Sequence, residues 1–256
     1  MPALAWVAGA ARSPGGTRLR LARHIAFPGG ATHLVEGSVD VSAHHRRRRM
    51  MHADGSLVDN VTSIPVGLDE MRRILGTKSG GGLLAGFAER LFGPAPAEDL
   101  EGMSGDELAA LAETAFAAFV ERQVGHHRIR VFDRDFGAGE GRRTLTVVEV
   151  DNDDMPFLFV SVLGQLTDLG LDIRLAVHPV LSVERDGAGR ATALVDNESA
   201  TSRRESFIHV QVERIGDPRV RGELVAGLDA TLAEVRAAVD DWRPMLNRIE
   251  RLIAAY

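Results

Sequence analysis

Hydrophobic and polar positions divide this chain into a first third without a period and a remainder with clear ones. Residues 1–82 hold neither a helical nor a strand repeat: Gly and Pro are scattered and the apolar runs are short. That stretch reads as irregular or disordered by composition. Its one helical signal runs from Leu68 to Leu75, between Pro65 and Gly76, and Gly80-Gly81-Gly82 marks a linker. From 83 the pattern sharpens. Leu83, Leu84, Phe87, Leu91 and Phe92 recur at helical spacing until Gly93-Pro94 stops them. Ser104-Gly105-Asp106-Glu107 has the form of a capping box and opens a second helix, whose stripe is Leu108, Leu111, Ala115, Phe116 and Phe119.

After His126 the period becomes two. Ile129 and Val131 alternate with Arg128 and Arg130, imperfectly, because Phe132 falls out of step and Asp133 takes an apolar slot. A turn at 137–141 leads to a strand over 145–150, and Pro156 stands where helices begin. Leu158, Val162, Leu166 and Leu169 then follow helical spacing up to Gly170. A third strand is expected from Ile173 to about Val183, then a hairpin turn at 185–190 and a weak return strand at 191–195. The clearest alternation is Ile208, Val210 and Val212. Asp217-Pro218 starts a long helix with the stripe Leu224, Leu228, Leu232, Val235 and Val239, and Pro244 should kink or restart it. The order β, β, α, β, β, β, α, α over 126–256 predicts an α+β fold: an ACT-like or ferredoxin-like plait, an antiparallel sheet with helices on one face. A small helical segment, 83–125, precedes it.

Composition narrows the chemistry. The absence of cysteine excludes disulfides, thiolate catalysis and Cys-ligated zinc. A net charge of −6 argues against general nucleic-acid binding. Of the 30 basic residues only Lys78 is lysine, which reads as coding bias toward arginine. No run approaches the roughly 18 apolar residues of a membrane span, so no membrane partner and a cytoplasmic setting are expected. Gly137 to Gly141 lacks the third spaced glycine and is followed by a strand, so it is no dinucleotide loop. Gly76-Thr77-Lys78-Ser79 lacks the glycines of a phosphate loop, and no Gly-x-Ser-x-Gly string occurs. No catalytic residue, cofactor site or metal site is expected. The basic run 44–49 reads as a solvated segment or an anionic-surface patch.

Several strings in order resemble one family. They are Glu149-Val150-Asp151-Asn152-Asp153-Asp154-Met155-Pro156-Phe157-Leu158, His178-Pro179-Val180-Leu181, Glu205-Ser206-Phe207-Ile208-His209-Val210 and Asp240-Asp241-Trp242-Arg243-Pro244-Met245. Together with Ala88-Glu89-Arg90-Leu91-Phe92 they resemble the N-terminal ACT-like region of the large bacterial NAD-dependent glutamate dehydrogenases, over about 170 residues. The resemblance implies a family that oxidises glutamate to 2-oxoglutarate and ammonia with NAD, its dehydrogenase domain lying far downstream of this region. It implies for this chain a regulatory role without catalysis, an amino-acid effector, attachment to that dehydrogenase domain and homo-oligomers. The alternative is a structural oligomerisation module without a ligand. After Leu158 the family's small apolar residue, Asp and Ser give way here to Phe159, Val160 and Ser161.

The candidate ligand-binding residues are Asn152, Asp153, Asp154, Met155, His178 and His209. Residues 152–154 fit either a pocket in which free helix N–H groups hold a carboxylate or plain helix capping. His178 and His209 are packing residues if apart; facing one pocket, they would read a carboxylate or a metal.

Overall fold

The computed structural model describes residues 7–13, 16–26, 32–41, 66–77, 81–137, 139–196 and 199–254. Its contacts divide the chain into Met1–Ile64 and Pro65–Tyr256. In the first unit β1 (Val7–Ser13), β2 (Gly16–Ala26) and β3 (Thr32–Val41) pair as an antiparallel meander. These strands lie in the stretch expected to be irregular, and neither of their faces carries an unbroken apolar alternation. The basic run 44–49 lies outside the described residues.

The second unit opens with three helices: α1 (Val66–Gly76), α2 (Gly81–Phe92) and α3 (Gly105–Val120). The helical region thus begins before 83, and Gly81 and Gly82, expected in a linker, form the first turn of α2. Leu68, Met71 and Leu75 of α1 are buried, so the weak helical signal there marked a packed helix. The capping box forms as expected: the Ser104 hydroxyl accepts from the Glu107 N–H, and the Glu107 carboxylate accepts from the Ser104 N–H at 2.8 Å.

The plait follows: β4 (Arg128–Phe136), β5 (Arg143–Asp153), α4 (Leu158–Asp168), β6 (Ile173–Val177), β7 (Val180–Arg185), β8 (Ala191–Val195), β9 (Ser202–Glu213) and α5 (Pro218–Ala254). The sheet is antiparallel throughout, in the order β4-β5-β9-β7-β8, with β6 also on β9. The expected third strand divides at His178-Pro179 because proline has no N–H for the ladder. Its two halves keep one line against β9, and the Pro179 carbonyl accepts from the Phe207 N–H at 3.0 Å. α4 ends in a Schellman motif: Leu171 N–H bonds to Leu166 O, Gly170 N–H bonds to Thr167 O, and Gly170 takes φ 68°. α5 is one helix of 37 residues through Pro244. Of the expected kink or restart, the restart is absent, since the helix is unbroken across Pro244.

Two cores flank the sheet. α4 and α5 cover one face, where Val148, Val150, Ile208, Val210 and Val212 meet Val162, Leu166, Leu224, Leu228 and Leu232. The helical segment covers the other face, where Leu145, Val147, Leu181, Val183 and Phe207 meet Phe87, Phe92, Leu111 and Phe119. This explains the broken alternation in β4. Ile129 and Val131 pack toward α4 and α5, while Phe132 packs toward the helical segment. Asp133 ends the apolar row by binding Arg221 of α5, Arg214 and the Thr146 hydroxyl.

Candidate functional site

The end of β5 carries most of the candidate residues, and the strand's alternation separates them. Asn152 lies on the α4–α5 face and is fully buried. Its Oδ1 accepts from Arg236 of α5 at 2.8 Å and from its neighbour's N–H at 2.9 Å, while its Nδ2 has no hydrogen-bond partner. Asp153, at the strand end, bridges both sides: Oδ1 accepts from Arg122 at 3.0 Å, and Oδ2 is 3.5 Å from Arg236. Asp154 accepts from Arg204 Nε at 3.0 Å. Met155 packs partly buried against the α4–α5 core.

Neither aspartate caps α4. The helix starts at Leu158, and its N-cap is Phe157, which offers no side-chain acceptor. Phe157 is 59% exposed and the one non-glycine residue at positive φ (69°) among the described residues. The capping reading fails because Met155 and Pro156 intervene between the aspartates and the helix. The arginines take the carboxylates instead, which neutralises the charge that an incoming anion would meet at 153 and 154.

His178 and His209 do not share a pocket. His178 stacks on Phe159 of α4 with centroids 4.9 Å apart, and its Nε2 lies 2.6 Å from the Ser206 hydroxyl. Ser206 is the β9 partner of Asn152, so His178 and Asn152 belong to one neighbourhood at the start of α4. His209 is on the opposite face, edge-on to Phe92 of α2 at 5.8 Å. It is buried between Glu149, whose Oε1 is 3.1 Å from its Nδ1, and Gln211, 3.2 Å from its Nε2. No third His, Asp or Glu gathers with others to hold a metal among the described residues.

That opposite face carries a polar stripe which the sequence reading missed. Glu149, Asp151 and Asp153 of β5 lie beside His209, Phe207 and Glu205 of β9. Arg122, just past the end of α3, is 1% exposed and reaches Asp151, Asp153 and Glu205 at 3.0 to 3.2 Å. Arg185 of β7 holds Glu205 through two bonds and also donates to the Phe119 and Val120 carbonyls. Arg128 donates to Ala118 O and Glu121 O. Arginines thus satisfy the orphan carbonyls at the end of α3 and face the negative end of its dipole. The signal available in the sequence was the row Glu149, Asp151 and Asp153 in β5, matched by Glu205, His209 and Gln211 in β9, in slots alternating with Val148, Val150, Ile208, Val210 and Val212.

Chemically, the two sides differ. The stripe under α3 is a network of buried, mutually paired ions. The α4 start presents helix N–H groups, the spare Asn152 amide hydrogens and two guanidinium groups, a set that suits a carboxylate.

An antiparallel sheet with α4 and α5 on one face is a plait of the ACT-like class. The chain belongs to the glutamate dehydrogenase ACT1 family: the family model described as "Glutamate dehydrogenase, ACT1 domain" matches residues 87–228, more than half of the chain. It is similar to the NAD-specific glutamate dehydrogenase of Halomonas elongata, with 32% identity over 161 residues, covering 62% of this chain and 10% of that protein. The NAD-specific glutamate dehydrogenase of Pseudomonas aeruginosa is 26% identical over 169 residues, covering 65% of this chain and 10% of its own. The chain therefore spans about a tenth of the length of these relatives. No solved structure matches it. Among the described residues no helix is long and apolar enough to cross a membrane.

Proposed function

We propose that this chain is the regulatory N-terminal region of an NAD-dependent glutamate dehydrogenase, and that it binds an amino-acid effector through its carboxylate at the start of α4. The observation that carries this reading is the fully buried Asn152, whose amide nitrogen has no partner on the face covered by α4 and α5. A buried donor left unpaired costs about 1–3 kcal/mol, and a ligand acceptor would recover it. The uncapped start of α4, Arg236, Arg204 and His178 stand close by in the fold. His209 takes no part in this site.

In this reading the oxidation of glutamate and the binding of NAD belong to a dehydrogenase domain of the longer cytoplasmic protein, which works as a homo-oligomer. The competing reading is an assembly module. α5 favours it, because 37 residues extend about 55 Å at 1.5 Å per residue, and Met245 near its end is a large apolar side chain exposed to solvent.

Titration of the 256-residue chain with amino acids and 2-oxoglutarate, followed through the backbone amide resonances of Leu158, Phe159 and Val160 at the start of α4, separates the two. The effector reading expects saturable shifts with at least one of these ligands, abolished by Asn152→Ala. Silence with all of them, together with light scattering that shows a stable oligomer, would leave the assembly reading.

A further inference from the structure

The last turn of α3 meets the ends of β5, β7 and β9 in a buried charge cluster on the opposite face of the sheet from the α4 site, joined to it through Asp153. Its two central cations are fixed. Arg122 donates to Glu205 at 3.2 Å, Asp153 at 3.0 Å and the carbonyls of Gln123 and His126. Arg185 donates to both oxygens of Glu205 at 2.7 and 2.6 Å. Three carboxylates face them. Glu205 takes bonds from both arginines, and Asp153 takes Arg122 and the Gly125 N–H.

Asp151 takes none. It is 2% exposed and its Oδ1 lies 3.2 Å from Arg122 Nε, yet that nitrogen's hydrogen goes to Glu205, and neither Asp151 oxygen has a hydrogen-bond partner. Arg128, its partner across β4, gives its bonds to the carbonyls ending α3. Arg122 and Arg185 give their carboxylate bonds to Asp153 and Glu205. A third negative charge would be buried without a bond of its own, the costliest state for a carboxylate. Burial pushes the Asp151 carboxyl well above the ordinary aspartate value and Glu205 adds to this, against the opposing pull of Arg122, Arg185 and Arg128.

We propose that Asp151 is a proton-binding latch between the α1–α3 helices and the sheet: with a proton on Asp151 the cluster buries no ionised carboxylate that lacks a donor and the end of α3 is seated, and release of that proton to solvent loosens the contact. A carboxyl raised in the folded state stabilises it fully below the unfolded value. That stability is lost as pH rises through the folded value.

The test uses the 256-residue chain. The 13C carboxyl resonance of Asp151 should titrate well above the ordinary aspartate range. Hydrogen exchange at Phe119, Val120 and Glu121, corrected for the intrinsic dependence on base, should rise with pH by up to tenfold per unit across that same interval. Asp151→Asn is of the same shape and always neutral, and should fold and lose the added slope. An ordinary aspartate titration in the unaltered chain overturns the latch even if the variant fails to fold. So does an exchange slope in Asp151→Asn equal to that of the unaltered chain.

Discussion

Replacing Arg122 by Met tests whether the buried ion network holds the helical segment on the sheet. Methionine keeps most of the apolar stem and removes the guanidinium. The change deletes four hydrogen bonds, to Glu205, Asp153, Gln123 O and His126 O. Breaking a buried pair by removing one partner costs about 3–5 kcal/mol. The lower end applies here. Glu205 keeps both bonds from Arg185, and Asp153 keeps Arg236 and is partly exposed to solvent. About 3 kcal/mol corresponds to a shift of roughly a hundredfold in the unfolding equilibrium. Urea unfolding followed by far-ultraviolet circular dichroism measures it. Arg122→Lys should recover only part of the loss, since one ammonium cannot reproduce the planar fork. Salt should leave the difference nearly unchanged, unlike that of a surface pair. A loss below about 1 kcal/mol, the range of exposed pairs, would refute the view that this network carries the contact.

Three further outcomes follow from the fold. Val210→Asp buries an unpaired charge in the central strand β9, where Val210 is wholly inaccessible, and should leave the second unit unfolded at neutral pH; a cooperative unfolding transition in this variant would contradict the strand assignment. Phe157→Asn should raise stability by up to about 1 kcal/mol, because asparagine tolerates the left-handed conformation and the ring is mostly exposed; a loss of that size in thermal unfolding would mean the ring packs. For Glu107, burial alone would raise the carboxyl, yet hydrogen bonds from the Ser104 and Gly137 N–H groups and the Ser104 hydroxyl lower it. Its contribution is present above the unfolded glutamate value and lost as pH falls through the folded one, so Glu107→Gln should flatten the acid limb of stability while keeping the capping box; an unchanged limb in acid titration would disprove the assignment.

What the sequence made legible was local. The capping box at Ser104, the stop at Gly170, the alternation of Ile208, Val210 and Val212 and the start at Pro218 each depend on residues within one or two turns of one another. What it hid depends on partners far away. The slots of Glu149, Asp151, Glu205, His209 and Gln211 read as the polar side of half-buried strands, since nothing local shows that α1–α3 will cover them. Glu149 and Glu205 are compatible with burial there because Arg130, Arg122 and Arg185 arrive from other elements. The same holds for Asp153 and Asp154, whose carboxylates look like helix caps in sequence and meet Arg122, Arg204 and Arg236 in space.

Arginine content therefore has a structural meaning that a coding-bias reading overlooks. Arg185 alone serves both oxygens of Glu205 and the carbonyls of Phe119, Val120 and Gly189. A lysine has three donors at one point and cannot span these sites, whereas the guanidinium carries five in a fixed plane. The end of α3 leaves carbonyls without helical partners, and it is packed where β5 and β9 place three carboxylates. Both kinds of acceptor need donors at once, and a bidentate cation supplies them without a cavity for water. An arginine-rich composition fits a plait whose second face is covered by helices, because covering that face buries the polar slots of both central strands.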